Sequence, residues 1–348
     1  MGTKRIRVSD DDGTTYYTMP GSTGEMSYES NDIDDTVFGQ NFKSGQPGLV
    51  NWSISSNAYY KGFAGYVADI KKVSGTATAM TNEACSLVSG KTYQVTNAAH
   101  RIMDHNTAIV VKDNGSAVSA ANIESIDYLF GRVTFISSYT VAGSVTITNA
   151  YWTVASVAKG RSFTLTQTSE ATQTTTFDEA QSNGACHTFD YGLKTVSLEV
   201  GGVFATSNDF QDLVAAREEL VIEINPEGAG QSVARGFFKA MSQKQSGNVG
   251  DLEEETIQFS LSVPSVDLML RPFGWLHTSS TLTTAVQKAL TAWEDETTLK
   301  VQYLPNGDLT GGREGDCLIT EISLSGGLEA MNEFSVTYQG TGAIADAT

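Results

Sequence analysis

The sequence predicts a mainly β protein with two short helices, built from duplicated units. Three observations point there. Glycine is frequent (33) and proline scarce (6), and Thr and Ser are abundant, which favours strands and turns over long helices. Segments of alternating apolar and polar residues recur along the chain. One of them occurs twice: "LVIEINPEG" at 220–228 and "LKVQYLPNG" at 299–307 both alternate and then break at Pro-x-Gly.

The elements follow in chain order. Residues 35–61, "DTVFGQNFKSGQPGLVNWSISSNAYYK", give Thr-x-Phe, a Gly-rich loop and a Gly-Leu strand carrying Trp52 and Ile54. In 71–157, "TAIVVKDNGSAV" holds two strands about an Asn-Gly hairpin signal. "IDYLFGRVTFI" and "GSVTITNAYW" add further alternating strands, so this stretch reads as a small separate β module. Residues 174–201, "TTTFDEAQSNGACHTFDYGLKTVSLEVG", repeat the first pattern, with Val196, Leu198 and Val200 alternating.

A short amphipathic helix is expected next, from Phe210, Leu213 and Val214, with Asn208 or Asp209 as N-cap. It leads into 220–228, a Gly-led strand, a turn bearing Leu252, and a closing strand with Ile257, Phe259 and Leu261 on one face. The second copy begins with a helix whose Val286, Ala289, Leu290 and Trp293 share a face. It continues through 299–307, a strand, a turn bearing Leu328, and a closing strand with Phe334, Val336 and Tyr338. The repeated unit is thus a helix and three strands, near 208–263 and 284–342.

The order of the pieces is upstream unit, insert, upstream unit, then two downstream units. Nesting is the simplest parse. Residues 158–263 form one domain, 1–70 with 264–348 form a second, discontinuous one, and 71–157 is inserted. Chain ends that lie close together make such an insertion physically reasonable.

Composition limits the chemistry. The 348 residues suffice for two or three domains, and 40% are hydrophobic, as in globular proteins. The net charge of −18 repels phosphate and anionic membranes. No apolar run is long enough to span a bilayer, and "MGTKRIRVSDDDG" lacks the apolar core of a secretory signal. Cys85, Cys186 and Cys317 are read as reduced thiols, with a single bridge as the alternative. His100, His105, His187 and His277 show no metal-ligand spacing, and adjacent Cys186 and His187 would point to opposite strand faces. No nucleophile elbow or phosphate loop occurs, and the Gly-x-Gly of "EGAGQS" sits in a hairpin rather than between strand and helix. The acidic stretches "SDDDG" (9–13), "NDIDD" (31–35) and "DLEEE" (251–255) lack calcium-loop spacing and are read as solvated charge. Trp52 and Trp293 are read as core. No catalytic, cofactor-binding or metal residue is assigned, no cofactor is expected, and the chain is read as a non-enzyme.

A family resemblance rests on the doubled pattern. "TTTFDE…YGLKTVSLEVGG", "LVIEINPEG", "ARGFFKAMS" and "ETIQFSLSV" resemble the major tail tube protein of long-tailed, siphovirus-like bacteriophages. "GLVNWSIS", "LKVQYLPNG…ITEISLSGGLEAMNEFSVTYQGTG" and the closing "QGTG" at 339–342 resemble the same pattern again. The resemblance covers about 25–66 and 160–343; the 71–157 module departs from the minimal pattern.

The resemblance implies two β-sandwich domains, each with a flanking helix, whose sheets join edge to edge into rings that stack as a hollow tube for DNA. Two domains per chain would let three chains fill a sixfold ring. It implies self-association, with tape measure, tail terminator and tail tip proteins as further partners. DNA would pass without specific binding, no membrane would be engaged, and the protein would reside in the virion tail after assembly in the host cytoplasm. The Gly-rich loops 39–48 and 178–192 are longer than a hairpin needs. In the resembling family the corresponding loop reaches across to the neighbouring ring, so the resemblance makes Gly39, Gln40, Asn41, Phe42, Lys43, Glu179, Gln181, Asn183 and His187 the candidate inter-ring residues. The alternatives are a capsid decoration or other surface or adhesive virion β protein, and, less favoured, a secreted carbohydrate-active enzyme.

Overall fold

In the computed structural model the described residues are 4–21, 23–37, 42–59, 69–156, 160–182, 184–203, 213–226, 232–246, 254–277, 283–327 and 333–348. They form β1 (Arg5–Ser9), β2 (Tyr17–Thr18), β3 (Thr23–Asp34), β4 (Gly45–Tyr59), β5 (Asp69–Ser89), β6 (Thr92–Val95), β7 (Val110–Asp113), β8 (Ser116–Ala117), β9 (Ile123–Asp127) and β10 (Arg132–Phe135). Then come β11 (Val145–Ser156), β12 (Gly160–Gln173), α1 (Phe177–Ser182), β13 (Phe189–Val203), α2 (Leu213–Ala216), β14 (Glu219–Asn225), β15 (Val233–Ser246) and β16 (Glu254–Leu261). The chain closes with β17 (Phe273–Leu276), α3 (Thr284–Asp295), β18 (Leu299–Leu304), β19 (Arg313–Gly327) and β20 (Glu333–Asp346). The protein is mainly β, and its sheet is antiparallel.

The downstream repeat holds in register: apart from Glu219↔Lys239, the partner pairs of β14–β15 and β15–β16 recur 79 positions later. Leu220↔Phe238 and Ile224↔Ala234 of β14–β15 become Leu299↔Cys317 and Tyr303↔Arg313 of β18–β19. Phe238↔Leu261 and Ser246↔Glu254 of β15–β16 become Cys317↔Gly340 and Ser325↔Glu333 of β19–β20. Both ladders step at the same place, between Ala240 and Ser242 and between Ile319 and Glu321. A bulge kept at one position is a built feature of the unit. The helices end alike as well: Arg217 after α2 and Glu296 after α3 are left-handed, with φ of 54° and 56°, the helix-stop position usually given to glycine. Residues 208–212, including the expected caps, and the turn leucines Leu252 and Leu328 lie outside the described residues.

The upstream repeat is equally plain, with shifts of 139 on the first strand and 144 on the second. A Cβ on Gly48 would lie 3.1 Å from the Asn31 carbonyl oxygen, and one on Gly192 would lie 3.1 Å from that of Glu170. Both sites therefore need glycine for the close approach of two strands. Glu29↔Asn51 in β3–β4 corresponds to Thr168 and Thr195, whose hydroxyls are 2.6 Å apart. The longer loop of the second copy carries α1, a helix that the sequence reading treated as loop.

Contacts divide the chain into two compact units, 1–67 with 162–198 and 279–348, and 68–161 with 199–278. In the first, antiparallel ladders run β2–β1–β18–β19–β20–β4–β3. β12 pairs with the C-terminal half of β19, beyond the part that β18 covers. α3 buries Ala285, Val286, Ala289, Leu290, Ala292 and Trp293 against β1, β2 and β19, as the apolar stripe requires. Trp52 and Tyr338 are the largest fully buried side chains of this unit.

In the second unit β15 pairs with β14, β16 and β17, and β14 continues through β5 to β11, β7 and β8. The far end of β5 joins β6, β10 and β9. Asn114 and Gly115 turn the β7–β8 hairpin with φ of 48° and 82°, as the Asn-Gly signal predicted.

The units cut the chain at different points from the nested parse. The 162–198 segment sits with the first unit because β12 ladders on β19. The 71–157 segment falls within the second unit. Its β5 ladders on β14, and Val221, Val233 and Phe237 are buried in one cluster with Met103, Phe130, Phe135 and Ile147. β14 is correspondingly buried at Leu220 through Asn225, on both faces, instead of alternating.

Candidate self-assembly surfaces

Of the candidate loop residues, Phe42, Lys43, Glu179, Gln181 and His187 are among the described residues. Gly39, Gln40, Asn41 and Asn183 lie outside the described residues. Phe42 is 86% exposed, and Lys43 pairs with Asp34 at 3.6 Å. Hydroxyl bonds from Thr36 and Ser44 hold the Asp34 and Asp35 carboxyls below the usual range. On the other hairpin Glu179 and Gln181 belong to α1, whose first residue, Phe177, is 96% exposed. Each copy of the hairpin thus presents a phenylalanine to solvent.

His187 is not on a free loop. Its backbone N–H donates to the Val50 carbonyl at 2.9 Å, and its own carbonyl accepts from Gly342 N–H at 2.8 Å. Val50 N–H donates to the Ala185 carbonyl at 2.8 Å, and the Thr175 hydroxyl lies 3.2 Å from His187 Nδ1. Cys186 is buried and His187 partly exposed, so the two point apart as expected. The strap 185–187 therefore fastens the β13 end of the loop to β4 and β20, which the sequence did not foresee.

Trp52 anchors this region from inside. It is 1% exposed and donates from Nε1 to the Gly342 carbonyl at 3.0 Å. Its ring lies in a saddle of two glycines: a Cβ on Gly340 would sit 2.1 Å from Cε2, and one on Gly315 2.6 Å from Cζ2. In the other copy the same places hold Val196, Leu261 and Gly236.

Among the described residues, two long strand segments have an unpaired and exposed edge. Among the described residues β3 ladders only on β4, and Ser242–Ser246 of β15 only on β16. From Tyr28 to Asp34 every β3 residue is exposed, and in 241–246 only Gln243 is partly covered. Long exposed edges invite pairing with another strand.

The titratable groups make structural contacts. The turn 9–13 is closed by Ser9 Oγ donating to Asp11 at 2.6 Å, which with the Thr15 N–H lowers the Asp11 carboxyl to about 2. Asp10 pairs with Lys288, and Asp12 with Lys300 at 2.7 Å. In the second unit a cavity of about 230 Å³ is lined by His105, Trp152, Glu219 and Phe237. His105 Nε2 lies 3.1 Å from Glu219, which also accepts from the Ser262 hydroxyl. A Ser–His–acid relay needs the histidine in the middle; here the carboxylate holds that place, so serine is not activated. Cross-strand Glu223 and Arg235 pair at 2.6 Å, with Lys71 at 3.2 Å on the same carboxylate. Their equivalents are Gln302 and Glu314, joined at 2.8 Å, so the repeat keeps a polar pair here while changing its charge. Cys85, Cys186 and Cys317 are free thiols. Among the described residues no group of three or more His, Cys, Asp or Glu side chains is placed to hold a metal ion.

No family model matches the sequence, and no curated protein does. Among solved structures, the chain is similar to one from the tail of an empty gene transfer agent particle, refined helically with C6 symmetry. Identity is 14% and the TM-score 0.29, over 36% of this chain and 87% of that one. It is similar to another from the virion of a native gene transfer agent particle, at 14% identity and a TM-score of 0.29, over 36% of this chain and 89% of that one.

Proposed function

We propose that this chain is a structural subunit of a phage-like virion tail. Copies assemble into rings that stack as the hollow tail tube, each chain filling two positions of a ring so that three chains make a pseudo-sixfold whole. The supporting observation is the doubled unit, with two downstream copies matched in register, bulge and helix stop. A second copy of the upstream hairpin accompanies them. A repeat this strict is the economical way for one chain to occupy two equivalent places in a symmetric assembly. The resemblance of the doubled motifs to major tail tube proteins gives the assembly its identity.

The exposed phenylalanines of the two hairpins suit contacts between rings. The net charge of −18 suits a conduit, since an acidic wall repels phosphate. Within such a tail the expected neighbours are the tape measure, tail terminator and tail tip proteins, with assembly in the host cytoplasm. Electron microscopy of the purified protein tests the reading. Long hollow rods support it, whereas monomers or isolated trimers favour a capsid decoration protein.

A further inference from the structure

Inside the chain, one copy of the repeat is already joined to the other, strand to strand. β12, from the second upstream hairpin, ladders antiparallel on β19, from Ser162↔Gly327 to Thr168↔Glu321. The repeat maps β12 onto β3 and β19 onto β15. Neither mapped strand has the mapped partner: among the described residues β3 ladders only on β4, and Ser242–Ser246 only on β16.

Burial marks the difference. Leu165, Gln167, Ile322 and Leu324 are buried at the internal joint. At the equivalent places, Met26 and Gln243 are only partly covered, and Tyr28 and Gln245 are exposed. Equivalent backbone with unequal cover means that the second joint lacks its partner.

We infer that β3 of one molecule pairs antiparallel with β15 of a second copy of this chain, in the register of the internal joint. Thr164↔Ser325 and Thr168↔Glu321 then become Glu25↔Ser246 and Glu29↔Ser242, with Met26↔Gln245, Ser27↔Lys244 and Tyr28↔Gln243 between them. This register sets Lys244 opposite Ser27, diagonal to Glu25 and Glu29 on the same face, within reach of both carboxylates. At the internal joint the equivalent side chains, Ser323, Thr164 and Thr168, are uncharged. The open edges thus carry complementary charge where the internal joint, which needs no partner choice, has none. Each molecule offers one edge of each kind, so the contact is head-to-tail and recurs. The inference rests on the association between copies that the tail reading requires, but not on stacking into a tube.

Two single-cysteine chains test it, each also carrying Cys85→Ser because that thiol is only half-buried. Met26→Cys is mixed with Gln245→Cys as the matched pair, and with Gln243→Cys as a control two residues out of register. Directly opposed Cβ atoms come within disulfide reach and diagonal ones do not. Mild oxidation should give the mixed dimer from the matched pair and little from the control. Equal yields from both mixtures, or none from either, overturn the inference. In a parallel experiment Lys244→Glu should abolish the oligomer seen by sedimentation, and Glu25→Lys with Glu29→Lys in the same chain should restore it. Unchanged association of Lys244→Glu counts against the inference. Matched cross-links without rods would leave this edge standing and remove the tube, and rods without matched cross-links would do the reverse.

Discussion

Replacing Gly340 by alanine should damage the first unit far more than a single methyl suggests. The new Cβ would lie 2.1 Å from Cε2, 2.2 Å from Cδ2 and 2.6 Å from Cε3 of Trp52, well inside contact distance. Trp52 has little room to yield: it is 1% exposed, its Nε1 is bonded to the Gly342 carbonyl, and a Cβ on Gly315 would already touch its far edge. Overpacking of a filled core costs about 1–3 kcal/mol. If the ring shifts, the buried Nε1–H loses its acceptor, at about 1–3 kcal/mol more. We therefore expect Gly340→Ala to cost about 3 kcal/mol, read as a lower urea midpoint by circular dichroism with unchanged slope. The repeat supplies the control. The other copy carries Val196 and Leu261 in these places, so Trp52→Val with Gly340→Leu restores a near-constant volume. That double variant should regain much of the loss. Wild-type stability for Gly340→Ala, within about 0.5 kcal/mol, the scatter of surface changes, would refute the saddle as the reason for glycine.

Three further outcomes are expected. Trp293→Ala removes the buried end of the α3 stripe (3% exposed) together with the ring under the Lys194 ammonium, 5.1 Å away. It should cost about 3–5 kcal/mol by urea denaturation, and a cost below about 1 kcal/mol would place the side chain elsewhere. Burial first, and Arg271 second, lowers the His277 imidazole to about 4. The unfolded chain therefore binds more protons than the folded one between pH 4 and about 6.5, and stability falls as pH drops through that window, by about 3 kcal/mol in all. His277→Gln should flatten that part of the stability profile, and an unchanged slope would contradict the assignment. Phe42→Ser with Phe177→Ser should leave the melting temperature of the unassembled chain nearly unchanged, since both rings are exposed, while slowing rod formation; normal assembly kinetics would remove these phenylalanines from the ring contacts.

Much of the fold was legible because its signals are local. The Pro-x-Gly breaks, the α3 stripe and the Asn114–Gly115 turn each act within a few residues. β5 was missed because "SGTATAMTNEACSLVS" offers small and polar residues with no clean period. β3 was hidden by its charge, since an exposed edge strand need bury neither face and so "NDIDD" looks like loop. The unit boundaries were out of reach for a different reason. They follow from the β12–β19 and β5–β14 ladders, which join residues more than a hundred positions apart, and pairing at that range leaves no periodicity to read. The near-continuous burial of β14 had a trace in "LVIEIN", where Leu220, Val221 and Ile222 run apolar side by side instead of alternating. Of the assembly surfaces, the hairpin lengths were visible. The strap 185–187 and the two open edges emerged only once strand partners could be counted.

The central claim is that one chain fills two equivalent positions of a ring, and helical reconstruction of rods grown from the pure protein tests it most directly. The account predicts three chains per ring with true threefold and approximate sixfold symmetry, the units 219–261 and 298–340 superposing on alternate positions. Six chains per ring in strict sixfold symmetry, or the two copies at unrelated radii, would contradict it.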